Sequence, residues 1–249
     1  MRSSVERARA RWELVLYPDA REAGGSFTSA LEHVWVPAGA ASNPTRAAEE
    51  AARRARGKVR RYAAANRLNR FGTLTYGPPR ETDPARVRKH VGLFFRGLRE
   101  GLGGRALPYV WVPELHKDGV HFHLHYAVNR FVSRGVIGSA WTRGIYDIRL
   151  ISDLPVGSGV VEEARVAARY LSKYVSKAFT DPTARPPGMH RYDVARGFQP
   201  STRLLTGRTR EEVLDQACAA LRSEPSRVWL SDEHEGWGGP PAVWAQWPG

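Results

Sequence analysis

His121, His123 and His125 alternate along the apolar run Val120-His-Phe-His-Leu-His-Tyr-Ala-Val128. A β-strand repeats every two residues, so the three imidazoles point to one side of it. Upstream lies a second strand-like run, Tyr109-Val-Trp-Val-Pro-Glu-Leu-His116, joined to the first by Lys117-Asp118-Gly119. Asp-Gly between two such runs is a strong hairpin signal. A turn at Asp118-Gly119 pairs Lys117 with Val120, His116 with His121, Glu114 with His123 and Val112 with His125. Glu114 then faces His123. A single histidine on a strand is more often a solvated or packed side chain, but imidazoles in a row beside a carboxylate are what metal sites are built from. The mixture suits Mg²⁺ or Mn²⁺, and imidazole also suits zinc and other transition metals. The pairing is sensitive to register, because a slip of one residue sends Glu114 to the opposite face.

The second group is Arg169-Tyr170-Leu-Ser-Lys173-Tyr174-Val-Ser-Lys177. Residues four apart share a helix face, which sets Tyr170 beside Tyr174 with Lys173 and Lys177 close by. Leu171, Val175 and Ala178 form the opposing apolar stripe. Cations beside a tyrosine favour the negative charge that gathers on its oxygen as it attacks phosphorus. On their own the tyrosines could equally be amphipathic side chains packing at a domain edge. Together with the histidine strand they supply a nucleophile, a Lewis-acid site and groups to steady a leaving oxygen, which is what phosphodiester cleavage needs.

The elements that must position these groups follow from periodicity and punctuation. Asn43-Pro44 caps a long Ala/Arg/Glu-rich helix to about residue 69, and Arg53, Arg56, Arg60 and Arg67 recur on it at helical spacing with Arg61 alongside. Phe71-Gly-Thr-Leu-Thr-Tyr76 reads as a strand stopped by Gly77-Pro78-Pro79. A helix over 84–100 carries Val87, Val91, Phe94 and Leu98 as its stripe. Beyond the hairpin come a short helix over 132–141, a strand over 145–151 and the tyrosine helix over 160–179, entered at Ser158-Gly159. The amino-terminal part reads as strands at 12–17 and 33–37 separated by a Gly-rich turn at Ala23-Gly24-Gly25-Ser26. An irregular basic stretch, a helix over 210–221 and a Trp/Gly/Pro-rich tail complete the chain.

Lys and Arg number 38 against 25 Asp and Glu, a formal charge of +13 that marks a polyanion-binding protein. A solvated basic face is the plainer reading of such a balance. The only cysteine, Cys218, excludes an internal disulfide and fits a reducing cytoplasm. No apolar run approaches the length of a membrane span, and no secretory leader is legible, so a cytoplasmic protein is expected.

Three stretches taken in order resemble the motifs of the HUH endonuclease superfamily: Phe71-Gly-Thr-Leu-Thr-Tyr76, Glu114-Leu-His-Lys-Asp-Gly with His-Phe-His-Leu-His, and Tyr-Leu-Ser-Lys-Tyr-Val-Ser-Lys. They are most similar to rolling-circle replication initiators of actinobacterial plasmids and to the replication gene A proteins of small isometric phages. The resemblance implies an α+β fold, RRM-like, with a central antiparallel sheet and flanking helices, the histidines on a middle strand and the tyrosines on a helix beside it. It implies that Thr73 and Thr75 help to position DNA. It implies nicking of single-stranded origin DNA with Mg²⁺ or Mn²⁺, a covalent 5′-phosphotyrosine and a 3′-OH left for a polymerase.

The family pattern needs two histidines, so the pair is His121/His123 or His123/His125. Glu114 fits the third ligand, and His116 could replace it. Both Tyr170-x-x-Lys173 and Tyr174-x-x-Lys177 fit the tyrosine motif, and the phage-like arrangement uses both. On this resemblance the chain divides into an extension (1–42), a basic helix (43–70) carrying Arg53, Arg56, Arg60 and Arg61 toward DNA, a nicking domain (71–180), a carboxy-terminal α/β extension (181–230) and a tail without fixed structure (231–249). No phosphate-binding Gly-x-x-x-x-Gly-Lys-Ser/Thr loop occurs, so a separate helicase is expected to unwind. A mobilisation relaxase or single-strand transposase shares this chemistry, and a non-catalytic nucleic-acid-binding module is the reading from another class.

Overall fold

Alternation of apolar and polar residues in 70–76, 109–115 and 122–128 builds the sheet that carries the histidines. A computed structural model describes residues 10–29, 37, 40–116, 118, 120–150, 159–180 and 190–249, with the backbone alone for 174–180. The chain divides into two units, Ala41–Gln199 and Met1–Ala40 with Pro200–Gly249.

In the first unit, helix α1 (Pro44–Ala65) starts where the Asn43 side chain accepts the Arg46 amide at 2.9 Å and Pro44 takes the first helical position. It ends a turn short of the expected boundary. The Asn66 side-chain amide donates to the carbonyls of Tyr62 and Phe198, each at 2.9 Å. There follow β3 (Arg70–Tyr76), α2 (Pro84–Gly101), β4 (Tyr109–Leu115), β5 (Phe122–Val128), α3 (Arg134–Ala140), β6 (Gly144–Leu150), α4 (Gly159–Thr180) and β7 (Asp193–Val194). The strands form one antiparallel sheet in the order β6-β3-β5-β4-β7. The fold is α+β, as the resemblance implies.

Each strand sends alternate residues to opposite faces. Leu74, Tyr76, Trp111, Leu124 and Tyr126 meet Val91, Phe94 and Leu98 of α2 and Ile137 of α3. Gly72 is required there, because an added Cβ would lie 2.3 Å from the Tyr126 ring. On the other face Phe71, Val110, Val112 and Ala127 meet Val59, Tyr62 and Ala63 of α1 and Ala167, Ala168 and Leu171 of α4. Helices thus cover both faces. Burying each of these larger apolar side chains stabilises the fold by about 1.5–3 kcal/mol. On the α1/α4 face the apolar set stops at Phe71 and Val112, and the next residues on that face are Thr73, Thr75 and Glu114.

In the second unit, β1 (Arg11–Tyr17), β2 (Glu22–Thr28), β8 (Arg203–Gly207), β9 (Arg227–Leu230) and β10 (Ala242–Gln246) form an antiparallel sheet in the order β8-β1-β2-β10-β9. Helix α5 (Arg210–Leu221) adds Val213 and Ala217 to its core. Two expectations change here. Gly24 and Gly25 lie inside β2 rather than in a turn, because a Cβ on Gly25 would lie 1.9 Å from the Glu13 carbonyl oxygen of β1. The glycine serves close strand approach. The tail, expected to lack fixed structure, supplies β10 between β2 and β9, with Val243, Ala245 and Trp247 buried as a strand's alternate residues. Of the expected strand at 33–37, residues 33–36 lie outside the described residues.

Candidate functional site

The sheet aligns two rows of polar residues on the face shared with α4. Thr75 pairs with His123 and His123 with Glu114, while Thr73 pairs with His125 and His125 with Val112. The hairpin register puts Glu114 opposite His123, as the turn chemistry predicts. Thr75 Oγ1 lies 2.9 Å from His123 Nδ1, and Thr73 Oγ1 lies 3.2 Å from His125 Nδ1. Both rings are held by the same nitrogen, so both Nε2 atoms face away from β3. The Glu114 carboxylate leans diagonally past its ladder partner, and its Oε2 lies 2.9 Å from His125 Nε2.

With a hydroxyl on one side and a carboxylate on the other, the neutral His125 ring donates from Nε2 to Glu114 and accepts from Thr73 at Nδ1. A hydroxyl both donates and accepts, so the same threonine also supports the other tautomer, with Nδ1–H donating and the Nε2 lone pair exposed. That second tautomer is the metal-binding one. Backing a ligand imidazole in this way fixes its ring and tautomer. Burial lowers the pKa of His123, neighbouring His116 and His125 add to the shift, and Glu114 opposes it. A neutral ring is what a cation requires.

Among the described residues no three His, Cys, Asp or Glu side chains converge as a ready-made cation cage. The donor set His123, His125 and Glu114 nevertheless fits a divalent ion chemically, with two imidazoles and a carboxylate on one face. His121 falls outside this group. It precedes β5, and its Nδ1 lies 2.6 Å from Asp118 Oδ2, while Asp118 Oδ1 accepts the amides of Val120 at 2.9 Å and His121 at 3.0 Å. Those hydrogen bonds hold the Asp118 carboxyl well below the usual carboxylate range. The row of three therefore resolves into a pair, His123 and His125, with His121 tied to the turn. His116 stacks at a tilt near His123, ring centroids 4.8 Å apart, and its Nδ1 lies 3.5 Å from Asp118.

Helix α4 brings Tyr170 to the same face. Its ring packs edge-on against Phe71 at 5.0 Å, and Phe71 stacks on His125 at 5.6 Å. Phe71 thus stands between the tyrosine and histidine rings. Lys173 Nζ lies 5.1 Å from the centre of the Tyr170 ring, as the helical spacing leads one to expect. A second cation was not foreseen: Arg149 Nη2 lies 3.4 Å from the Tyr170 oxygen. The pairing of Arg149 with Phe71 across β3 and β6 brings it there. Its signal in the sequence is the alternation of Asp147 and Arg149 on one side of a strand.

The side chains of Tyr174 and Lys177 lie outside the described residues. The α4 backbone still orders the two tyrosines. Asn69 Nδ2 donates to Glu163 at 2.8 Å and Phe71 touches Tyr170, so α4 and β3 run the same way. Residue 174, about 6 Å further along the helix axis, follows Tyr170 in the direction of Thr73 and Thr75.

On α1, Ala52, Ala55, Val59, Tyr62 and Ala63 are buried. Arg53 is exposed, and Arg56, Arg60 and Arg61 are half-buried at its margins. The helix is thus part of the layer that covers the sheet, with its arginines bordering the packed side.

Residues 69–179 match the family model of the replication-associated protein ORF2. The matched stretch runs from the residue before β3 nearly to the end of α4. It contains Phe71, both threonines, Glu114, the histidines, Arg149 and the tyrosine helix. Such a match is consistent with a rolling-circle replication initiator. No curated protein and no solved structure gives a significant match. Among the described residues no helix is long and apolar enough to cross a membrane.

Proposed function

We propose that this chain nicks and rejoins single-stranded DNA at a replication origin, starting rolling-circle replication through a tyrosine of α4 that stays attached to the 5′ end. The observation that carries the reading is the single sheet face on which hydroxyl-backed His123 and His125, Glu114 and the Tyr170 helix face meet, inside the stretch matching a replication-associated family.

His123, His125 and Glu114 would hold Mg²⁺ or Mn²⁺. Bound there, the ion supplies a Lewis acid for a non-bridging phosphate oxygen. Thr73 and Thr75 keep the imidazoles oriented. The tyrosine oxygen attacks phosphorus, a P–O(Tyr) bond forms and the P–O3′ bond breaks. The phenolic proton leaves the tyrosine and one is gained by the departing 3′-oxygen, giving 5′-phosphotyrosine and a free 3′-OH. Arg149 and Lys173 stabilise the negative charge on the Tyr170 oxygen. Because the phosphoryl ester is conserved on the enzyme, a 3′-OH can attack it in turn and reseal the strand. With both Tyr170 and Tyr174 on α4, one cleaves at initiation and the other at termination. A polymerase extends the 3′-OH, and a separate helicase unwinds the duplex.

Incubation of the protein with a library of single-stranded DNA sequences and Mn²⁺ tests the reading. An SDS-stable protein–DNA adduct that disappears with chelator is expected. Complete absence of adduct across the library leaves a non-catalytic binding module instead.

A further inference from the structure

A cleft of about 820 Å³ opens between α2 and the segment carrying β7. Arg88, Arg96 and Arg99 line it from α2, and Arg196 lines it from the other side. All four are exposed. Among the described residues none of these guanidiniums has a carboxylate within ion-pair distance, and the one acidic lining residue, Asp193, accepts the Val194 amide at 2.8 Å. Gathering unpaired like charges around one recess is unfavourable in the free protein and favours a bound polyanion.

The wall opposite α2 is fixed in place. Val194 and Asp193 pair with Val110 and Trp111 of β4, and the Ala195 amide donates to the Tyr109 carbonyl at 3.0 Å. Tyr62 Oη donates to the Ala195 carbonyl at 3.2 Å. The rings of Tyr109 and Tyr192, both half-buried, also line the cleft. Arg88 to Arg99 spans about 16 Å along the helix axis, enough for several successive phosphates. A basic track with aromatic rings set into it is the chemistry that holds single-stranded nucleic acid, whose bases offer free faces for stacking. A duplex keeps those faces covered.

We propose that this cleft is a second contact for the single strand, on the side of the sheet away from His123 and His125. Helix α2 packs on the Leu74/Tyr126 face, and β7 is the edge strand beyond β4. DNA lying in both places passes around that edge, so the cleft holds the strand while the tyrosine face works on it. The identity of the polyanion rests on the nicking reading.

The test compares wild type with the triple variant Arg88→Gln, Arg96→Gln, Arg99→Gln. Glutamine keeps the helix-forming tendency of α2, and circular dichroism checks that it does. Affinity for a fluorescein-labelled single-stranded oligonucleotide is measured by anisotropy across a salt series. Each lost phosphate contact reduces the slope of log K against log salt by about 0.7, so the triple variant is expected to be shallower by about 2. A folded variant with unchanged slope overturns the proposal, as does an equal loss of affinity for duplex of the same sequence. Adduct formation is scored in parallel. A flatter slope without any adduct from wild type keeps the cleft and removes the nickase reading, whereas adduct with an unchanged slope removes the cleft alone.

Discussion

Replacing Thr73 and Thr75 by valine tests whether the hydroxyls behind the histidines are part of the site. Valine keeps the β-branched shape that β3 packs, so the strand itself is preserved. What is lost is one hydrogen bond to each imidazole, at 3.2 Å from Thr73 and 2.9 Å from Thr75. A net hydrogen bond contributes about 1 kcal/mol to stability, so each variant should melt only slightly earlier. The effect on cation binding is larger, because removing such a backing partner typically weakens a site about 10–100-fold. Distance and burial pull in opposite directions here. Thr75 makes the shorter bond, but His123 is half-buried, so water can take the place of its hydroxyl. The His125 side chain is 9% exposed, and water reaches it poorly. Burial should win, with Thr73→Val near the upper end of that range and Thr75→Val near tenfold. The assay is nicking of single-stranded DNA against Mn²⁺ concentration, with thermal melting as the control. Half-saturating Mn²⁺ that stays within about twofold of wild type in both variants would refute the reasoning.

Three further outcomes are expected. His125→Ala should abolish cation-dependent nicking whereas His121→Ala should leave most of it, since His121 is tied to Asp118; comparable losses in a nicking assay would restore the pair His121/His123. Leu171→Ala removes a fully buried side chain between α4 and the sheet and should cost about 2–5 kcal/mol in denaturant unfolding, a loss below about 1 kcal/mol contradicting that packing. In protein freed of divalent ions, His123 should titrate below 6.5 by NMR. The sign follows from burial opposing the charged ring: its contribution to stability is present above pH 6.5 and is lost as pH falls through the lowered value, so a midpoint above 6.5 would contradict it.

Local chemistry made much of the site legible. The Asp118-Gly119 turn signal and the two-residue period were enough to place Glu114 across from His123, and Asn43-Pro44 marked the start of α1. What escaped the sequence depends on partners far away in the chain. Glycines at 24 and 25 look like a turn until β1 is laid against them, and the Gly- and Pro-rich composition around β10 conceals the alternation of Val243, Ala245 and Trp247. Arg149 became a neighbour of Tyr170 only through the pairing of β6 with β3, and His121 left the row because Asp118 captures it. The basic cleft beside β7 combines α2 with residues about a hundred positions later, a juxtaposition no local pattern announces.

The central claim is a covalent bond between DNA and a tyrosine of α4, and peptide mapping of the adduct by mass spectrometry tests it most directly. Wild-type protein, incubated with single-stranded origin DNA and Mn²⁺ and then digested, should yield a nucleotide-bearing peptide modified at Tyr170 or Tyr174, and the double variant Tyr170→Phe, Tyr174→Phe should yield none while still binding DNA. A modified residue outside α4, or an adduct that survives in the double variant, would contradict the account.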